Sequence, residues 1–296
     1  MSTTPSRSIE RSARSDAWPA LPLEEWAETY ATLHRLTQIV GKIRLARAPM
    51  VNHWWHVVLY VTARGLTTSP IPDGERTFEI DFDFVDHRLL LATSTGDRAE
   101  LPLASRSVAT FYGELMAALH ALDVDVRIWT RPSEIDDTTP LDQDRRHGTY
   151  DPAHASRFFT VLAQAHRTLE RFRSGFVGKS SPVHFFWGSF DLAATRFSGR
   201  RAPPHPGGIP NLADWVTREA YSHECASCGF WPGGGPVPEP VFYAYAYPEP
   251  GGFRDFPVRP EHAYYDETMR EYLLPYERAS FGGPRTDGAR VLPERL

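Results

Sequence analysis

Three histidines and one glutamate are the residues whose positions most favour chemistry in this chain. His53 and His184 each begin an aromatic stretch that is predicted to be a strand, and His223 and Glu224 are adjacent in a long connection rich in Pro and Gly. If the two strands are equivalent in a paired fold, the four side chains would lie together. They would then serve as catalytic acid–base groups or as ligands of a transition metal such as iron, zinc or copper. The alternative is that each histidine caps a strand end and bonds to the backbone.

A weaker metal-binding pattern lies in the same connection. Cys225 and Cys228 have the Cys-x-x-Cys spacing that lets two thiolates hold one ion, His223 precedes them, and His205 is an available fourth ligand. One such pair without a second is a weak signal for zinc. These residues therefore rank below the histidine set, and two ordinary small residues in a Gly-rich segment would look the same.

Aromatic residues predict an apolar pocket between the two halves of the chain. Strand alternation places Tyr243 and Tyr245 on one face, and such rings with a few polar groups are typical of small-molecule sites. Arg196 could anchor an anionic group through bidentate hydrogen bonds. Packing of a sheet core is the alternative explanation for the rings. The predicted ligand-binding residues are Trp54, Phe186, Trp187, Arg196, Trp231, Tyr243 and Tyr245.

The elements that would position these residues follow from apolar periodicity. Three- and four-residue spacing predicts helices at 24–47, 108–122, 155–176 and 264–276, and aromatic or alternating runs predict strands at 53–63, 78–84, 183–194 and 241–247. The order occurs twice, and Trp55 matches Trp187 at the same offset at which Arg64 matches Arg196. We therefore predict an α+β fold. It would be an internal duplication of a helix, antiparallel strands, helix unit, with the strands in one large sheet or barrel-like layer and the helices packed on it.

The predicted boundaries separate two units of similar size. They are a disordered tail at 1–20, a first unit at 21–130, a linker at 131–152, a second unit at 153–280 and a loosely ordered tail at 281–296. The second unit carries a Pro- and Gly-rich insertion at 197–240 that the first lacks, and it holds many of the 26 prolines in the chain. Because long irregular connections in compact domains are often lids or binding loops, the insertion is where we expect function.

Composition excludes several classes of protein. The 296 residues carry a net charge of -5, which argues against a nucleic-acid partner. No run approaches the roughly 18 apolar residues of a membrane span, and no secretory signal is recognisable, so we expect a cytoplasmic protein without a membrane partner. Dinucleotide, phosphate-loop, serine-hydrolase and His-Glu-x-x-His motifs are missing from the sequence.

Several long motifs resemble those of a bacterial family catalogued only as a domain of unknown function. They are Gln-Ile-Val-Gly-Lys-Ile at 38–43, Asn-His-Trp-Trp-His at 52–56, Val-His-Phe-Phe-Trp-Gly at 183–188 and Ser-His-Glu at 222–224. The resemblance spans about residues 20 to 280 and implies no activity. Cys225 and Cys228 depart from the pattern of similar sequences, which argues against a family-wide role for the two thiols.

Together these observations favour an enzyme that acts on a small molecule. The substrate would bind in the aromatic pocket between the halves, His53, His184, His223 and Glu224 would be the metal ligands or acid–base groups, and the insertion at 197–240 would form a wall or lid. Two other classes of protein remain open. One is a non-catalytic binding protein for a small ligand in the same pocket, and the other is a scaffold whose Pro-rich segment binds another protein.

Overall fold

A computed structural model describes residues 17–279 and confirms the α+β class. The helices are α1 (Leu23–Arg47), α2 (Val108–Ala121), α3 (Pro152–Ser174) and α4 (Asp214–Ala220). The strands of the first unit are β1 (Tyr60–Val61), β2 (Gly65–Thr67), β3 (Ile71–Asp73), β4 (Arg76–Asp83), β5 (Arg88–Thr93) and β6 (Arg98–Pro102). Those of the second are β7 (His184–Phe186), β8 (Asp191–Arg201), β9 (His223–Trp231), β10 (Val241–Tyr247), β11 (Tyr264–Asp266) and β12 (Glu271–Pro275). Across residues 17–279, no helix combines the length and apolar character needed to cross a bilayer.

The strands form two antiparallel sheets of six strands each. The first has the order β1-β2-β4-β5-β6 with β3 paired to β4, and the second has the order β11-β12-β10-β9-β8-β7. The sheets meet where Leu59 and Phe185 exchange backbone hydrogen bonds of 2.9 and 2.8 Å. The chain just before β1 therefore lies beside β7, and this contact brings the two units together.

Local sequence explains where the main helices begin. Asp151 caps α3 by accepting hydrogen bonds from the amides of Ala153 and His154, and Pro152 occupies the first turn, where its missing N–H costs nothing. Ser107 caps α2 by accepting from the amide of Thr110. These caps set where the two helices begin.

Helix α1 is more deeply buried than its periodicity indicates. Every residue from 32 to 44 is buried, although the spacing of its apolar residues predicts a single buried face. The reason is that its polar side has protein partners. His34, Gln38 and Lys42, four residues apart, contact the loops at 188 and at 133. One helix thus joins the core to the loops that surround the site.

The two faces of the second sheet have different environments. Leu192, Phe230, Phe242 and Leu274 belong to the main apolar core, against which α3 packs. Their strand neighbours at odd-numbered positions point the other way, because successive side chains in a strand alternate between faces. That second face carries Asp191, Ser227, Tyr243 and Glu271 and borders a cavity.

Several sequence-based boundaries are wrong. Residues 264–276 form β11 and β12 rather than a helix, since Leu273 packs on one face while Tyr272 and Leu274 pack on the other, which produces a continuous apolar run. The insertion at 197–240 is not irregular throughout, because it contains the end of β8, all of α4 and all of β9. Within 53–63 only β1 is a strand, and the strand predicted at 183–194 is broken by a turn after β7.

The tails lie mostly outside the described residues. The predictions for 1–16 and for 280–296 concern parts of the chain that the structure does not describe. Trp18, within the predicted tail at 1–20, packs its ring against Phe242 and Tyr276 with centroid distances of 6.2 and 6.1 Å. The ordered fold therefore begins before residue 21.

Internal duplication stays a prediction. Both units place a long helix before six antiparallel strands, which agrees with it. The residue matches do not coincide in space, however, because Arg64 lies in a bend before β2 whereas Arg196 lies in the middle of β8. The likeness between the units therefore lies in element order.

Candidate functional site

A cavity of about 790 Å³ lies against the second face of the second sheet. Strands β8, β9 and β10 and residue Glu271 form one side, and the segment 129–134 and the helix residues Lys42 and Leu45 form another. The remaining walls come mainly from residues 53–57, 186–189 and 209–221. Six tryptophans contribute to the lining: Trp54, Trp55, Trp129, Trp187, Trp215 and Trp231. Trp129 and Trp215 are 75% and 62% exposed, so these two rings lie at the mouth.

One end of the cavity is acidic. Asp191, at the start of β8, accepts hydrogen bonds from the hydroxyls of Ser189 and Tyr243 and is 7% exposed. Tyr243 reaches it across Gly229, where any side chain would collide with the tyrosine ring, because an added Cβ would lie 2.3 Å from it. Burial raises the pKa of Asp191 against the effect of these hydrogen bonds. Glycine at 229 therefore permits the hydrogen bond between Tyr243 and Asp191.

Two further carboxyls and one lysine share this end, which we call the carboxyl end (Glu134, Asp191, Glu271 and Lys42). Burial, reinforced by the charge of Asp191, raises the pKa of Glu134 to about 7 and that of Glu271 to about 8. Burial lowers the pKa of Lys42 to about 8, although the charge of Glu134 opposes that shift. Within residues 17–279, neither the Glu134 carboxyl nor the Glu271 carboxyl has a side-chain hydrogen bond. Groups of both signs thus titrate near neutral pH in one cavity.

Helix α1 fixes the loop that carries Glu134. Gln38 pairs with the backbone of Ser133, donating to its carbonyl and accepting from its amide at 2.8 Å each. Lys42 donates to the Ser133 hydroxyl at 3.1 Å and lies 5.4 Å from the centre of the Trp187 ring. Glu134 itself has a φ of 61°, a left-handed conformation that a non-glycine residue holds only under constraint. The loop is therefore held in position by the helix.

Glycines make the close approaches at this end possible. A Cβ at Gly41 would lie 2.2 Å from the Trp187 ring, and one at Gly188 would lie 2.0 Å from the Glu134 carboxyl. The Gly188 carbonyl also accepts a 2.8 Å hydrogen bond from His34, whose pKa burial lowers to about 4. His34 is therefore neutral and donates through Nε2.

The opposite end holds the predicted His53, and we call it the histidine end (His53, His223 and Lys179). His53 stacks near Phe197, and six residues of β8 separate Phe197 from Asp191, which is roughly 20 Å at about 3.3 Å per residue. Nδ1 of His53 donates to the carbonyl of Ala220 at 3.0 Å, and Nε2 accepts from Nζ of Lys179 at 2.9 Å. Both ring nitrogens are occupied, and burial with the nearby Lys179 lowers the pKa of His53.

The other members of the predicted histidine set do not line the cavity. His223 makes an edge contact with His53 at a centroid distance of 5.6 Å. His184 is enclosed by Trp55, Tyr60 and Phe186, and burial lowers its pKa to about 3. Glu224 is paired with Arg200 at 2.6 Å and with the Ser198 hydroxyl at 2.8 Å. In the part of the chain from 17 to 279, no three or more His, Cys, Asp and Glu side chains are arranged to hold a metal ion.

The structure does not bring together the residues of the predicted zinc knuckle. Cys225 and Cys228 lie three residues apart on strand β9, so their side chains point to opposite faces. Cys225 borders the cavity and Cys228 packs in the main core. Both thiols are free and buried, and burial raises the pKa of Cys225 to about 12. His205 instead stacks on Tyr221 at a centroid distance of 4.9 Å.

Arg196 also lies away from the cavity. Its guanidinium stacks 3.5 Å from the centre of the Phe172 ring and donates to the Phe172 carbonyl on the α3 side of the sheet. The reason is its even-numbered position on β8, since the odd-numbered positions face the cavity. The other six predicted ligand-binding residues line it: Trp54, Phe186, Trp187, Trp231, Tyr243 and Tyr245.

The amino-acid sequence alone does not reveal the carboxyl end. Glu134 lies in a charged linker and Glu271 in a segment predicted to be helical, and neither belongs to a recognisable motif. Asp191 lies inside the strand predicted at 183–194, and nothing in that prediction marks it as a site residue. Only the tertiary structure places Lys42 beside Glu134.

Among the comparisons with known proteins, only the comparison with protein families gave a match. The chain matches a family of unknown function, DUF5996, over residues 18–282. The chain therefore belongs to this family. Nothing matches it among curated proteins or among solved structures.

Proposed function

We propose that the protein is an enzyme that binds a small molecule in the aromatic cavity and performs acid–base chemistry on it at the carboxyl end. One observation carries the proposal. Glu134, Glu271 and Lys42 all face this cavity with pKa values between about 7 and 8. The active groups are thus carboxyls and an amine, in place of the histidines that the sequence favours.

The pKa values suit proton transfer at neutral pH. A general acid or base works best when its pKa is near the working pH, and enzymes obtain such values by burying carboxyls and lysines beside one another. Glu134, with the lower pKa of the two glutamates, is the base, and Glu271 is the acid. Asp191, held by Tyr243 and Ser189, keeps both neighbouring pKa values raised through its charge.

The remaining walls supply binding. Aromatic rings give large apolar contact at low entropy cost, and a mostly apolar cavity with a few polar groups is the usual form of a small-molecule site. Segment 209–221, which lies in the predicted insertion, covers part of the cavity through α4. Trp54 on the opposite wall donates to the Val216 carbonyl at 3.0 Å, which holds α4 in place. This segment acts as the wall that the proposal requires.

A defined mixture of amines, carboxylic acids, esters, amides and sugars tests the proposal. Wild-type protein and the variant Glu134→Gln are incubated with the mixture, and compounds are followed by NMR for binding and for conversion. We expect wild-type protein to convert at least one compound, with the rate falling about 100-fold or more in the variant. The control Glu224→Gln, which alters a carboxyl outside the cavity, keeps the wild-type rate.

The other outcomes decide between classes of protein. Compounds that bind in the cavity but are never converted would favour the non-catalytic binding protein, and a mixture in which nothing binds would remove the cavity as a site. Where turnover is found, kcat/KM should be highest between about pH 7 and pH 8, because the base must be ionised and the acid protonated.

We also propose a cytoplasmic location in a bacterium. Both cysteines of the chain are free thiols, as a reducing compartment favours. Fractionation of cells that produce the protein checks this, and recovery in the periplasm would contradict it.

A further inference from the structure

We propose that the ligand of this cavity is an organic cation, an amine carried on an aromatic or branched apolar group. The inference rests on the proposed small-molecule site and names the class of compound that it takes. The charges at the carboxyl end, the rings around them and the unpartnered polar groups of the wall all lead to it.

The balance of ionisable groups at the carboxyl end favours a cation. Three carboxyls and one lysine line the carboxyl end, and even when Arg131 of the cavity wall is counted the acids exceed the Lys and Arg side chains by one. Asp191 has two hydroxyl partners, whereas the Glu134 and Glu271 carboxyls have no side-chain hydrogen bond from residues 17–279. A cation placed between these two carboxyls would satisfy groups that the protein leaves unpaired.

The aromatic lining also favours a cation. Trp187, Trp231 and Tyr243 lie in the same part of the cavity as the carboxyls, and the Lys42 ammonium already lies over the Trp187 ring at 5.4 Å. Aromatic faces attract ammonium groups, and several rings around one site are the usual way to hold a substituted ammonium. A neutral or anionic head group would gain nothing comparable from these rings.

The opposite wall carries a polar group without a partner in the described part of the chain, the hydroxyl of Thr217. Thr217 of α4 lines the cavity, is 2% exposed, and its hydroxyl has no hydrogen-bond partner among residues 17–279. A buried hydroxyl without a partner costs free energy, and a ligand that hydrogen-bonded to it would remove that cost. A ligand that reaches from the carboxyl end to α4 would contact both.

A set of three probes of the same shape tests the inference. Phenyltrimethylammonium, tert-butylbenzene and benzenesulfonate each carry a compact tetrahedral head group on a phenyl ring, and they differ in charge from positive to neutral to negative. Binding is measured by tryptophan fluorescence, because six tryptophans line the cavity. We expect the cation to bind at least about ten-fold more tightly than the neutral probe and the anion not to bind.

The pH dependence and the variants sharpen the test. A bound cation stabilises ionised carboxyls, so its affinity should rise between pH 6 and pH 9 and binding should release protons into the buffer. Glu271→Gln should weaken the cation at least about ten-fold at pH 8.5 and leave the neutral probe unaffected. Glu100→Gln, a matched change on β6 in the other sheet, should leave all three affinities unchanged.

The outcomes separate this inference from the proposed function. Equal or tighter binding of tert-butylbenzene or of benzenesulfonate overturns the cationic ligand, while the cavity remains a small-molecule site. Failure of all three probes to bind overturns the inference and argues against the cavity as a site as well. Tight binding of the cation that Glu271→Gln does not alter places the cation elsewhere and also overturns the inference.

Discussion

The two ends of the cavity contain ionisable groups of similar kinds but use them differently. At the histidine end both ring nitrogens of His53 are bonded within the protein, to the Ala220 carbonyl and to Lys179. At the carboxyl end Glu134 and Glu271 face the cavity with no such partner. The ring nitrogens of His53 are therefore occupied by the protein, whereas the two carboxyls at the other end lack side-chain partners among the described residues and border the cavity. For locating a site, the type of a reactive residue is therefore less informative than whether its polar atoms have hydrogen-bond partners within the protein.

The largest effect should come from removing the glycine that lets α1 approach the carboxyl end. Gly41→Ala places a Cβ against the Trp187 ring, so we expect a loss of about 3 kcal/mol or more in the free energy of unfolding. Gly113→Ala, in α2, meets no atom within 4 Å and should instead stabilise by up to about 1 kcal/mol. Urea denaturation measures both, and a Gly41→Ala protein as stable as the wild type would contradict the packing.

The second effect concerns the pH dependence of stability. The pKa of Glu271 is raised to about 8 in the folded protein, above its ordinary value of 4.5. Folding therefore favours the protonated form, and stability falls as pH rises from about 4.5 to about 8. Glu271→Gln should abolish this loss, which gives a gain of the order of 1 to 3 kcal/mol at pH 9 and little change at pH 4.5.

For a buried histidine, stability should change with pH in the opposite direction. Burial lowers the pKa of His184 to about 3, so its contribution is present above its ordinary pKa of 6.5 and is lost as pH falls toward 3. His184→Gln should therefore flatten the acid side of the stability curve and leave the alkaline side unchanged. A Glu271→Gln protein that gains stability equally at pH 4.5 and pH 9 would show that its carboxyl is not the cause.

A smaller effect compares the lysine at each end. Lys42→Met removes the charge that opposes the raised pKa of Glu134, so that pKa should move upward from about 7. Lys179→Met removes a charge that lowers the pKa of His53, so that value should rise and Glu134 should not respond. NMR titration reads both groups. If either substitution shifted the groups of both ends, the two ends would be electrostatically coupled and the division between them would be lost.

The smallest effect belongs to Glu224, which the sequence places in the active set. It forms an exposed pair with Arg200, and such pairs contribute little. Glu224→Gln should shift the melting temperature by less than about 2 °C and leave ligand binding unchanged. A ten-fold loss of activity in this variant would restore the histidine and glutamate site that the sequence predicts.

The sequence predicts elements better than it predicts the site. Helix α1 and strand β4 follow from periodicity within a residue or two, because each pattern reports contacts made along its own element. Residues 264–276 were predicted as a helix because a strand buried on both faces has no clear period. The aromatic lining was predicted in most positions since strand alternation at 243 and 245 is visible in the chain.

The carboxyl end could not be read in the same way. Glu134, Asp191 and Glu271 come from a loop, the start of β8 and the start of β12, and only the tertiary fold brings them together. Their pKa values follow from mutual charge and burial, neither of which a sequence shows. The histidines were conspicuous in the sequence, but turns and loops supply their backbone partners, and those turns depend on the whole fold.

The central claim is that the acids of the carboxyl end titrate near neutral pH. Protein with carbon-13 at the glutamate carboxyls, assigned with Glu134→Gln and Glu271→Gln, permits a direct NMR titration. The account predicts midpoints of about 7 for Glu134 and about 8 for Glu271. Midpoints for both near the ordinary value of 4.5 would contradict it.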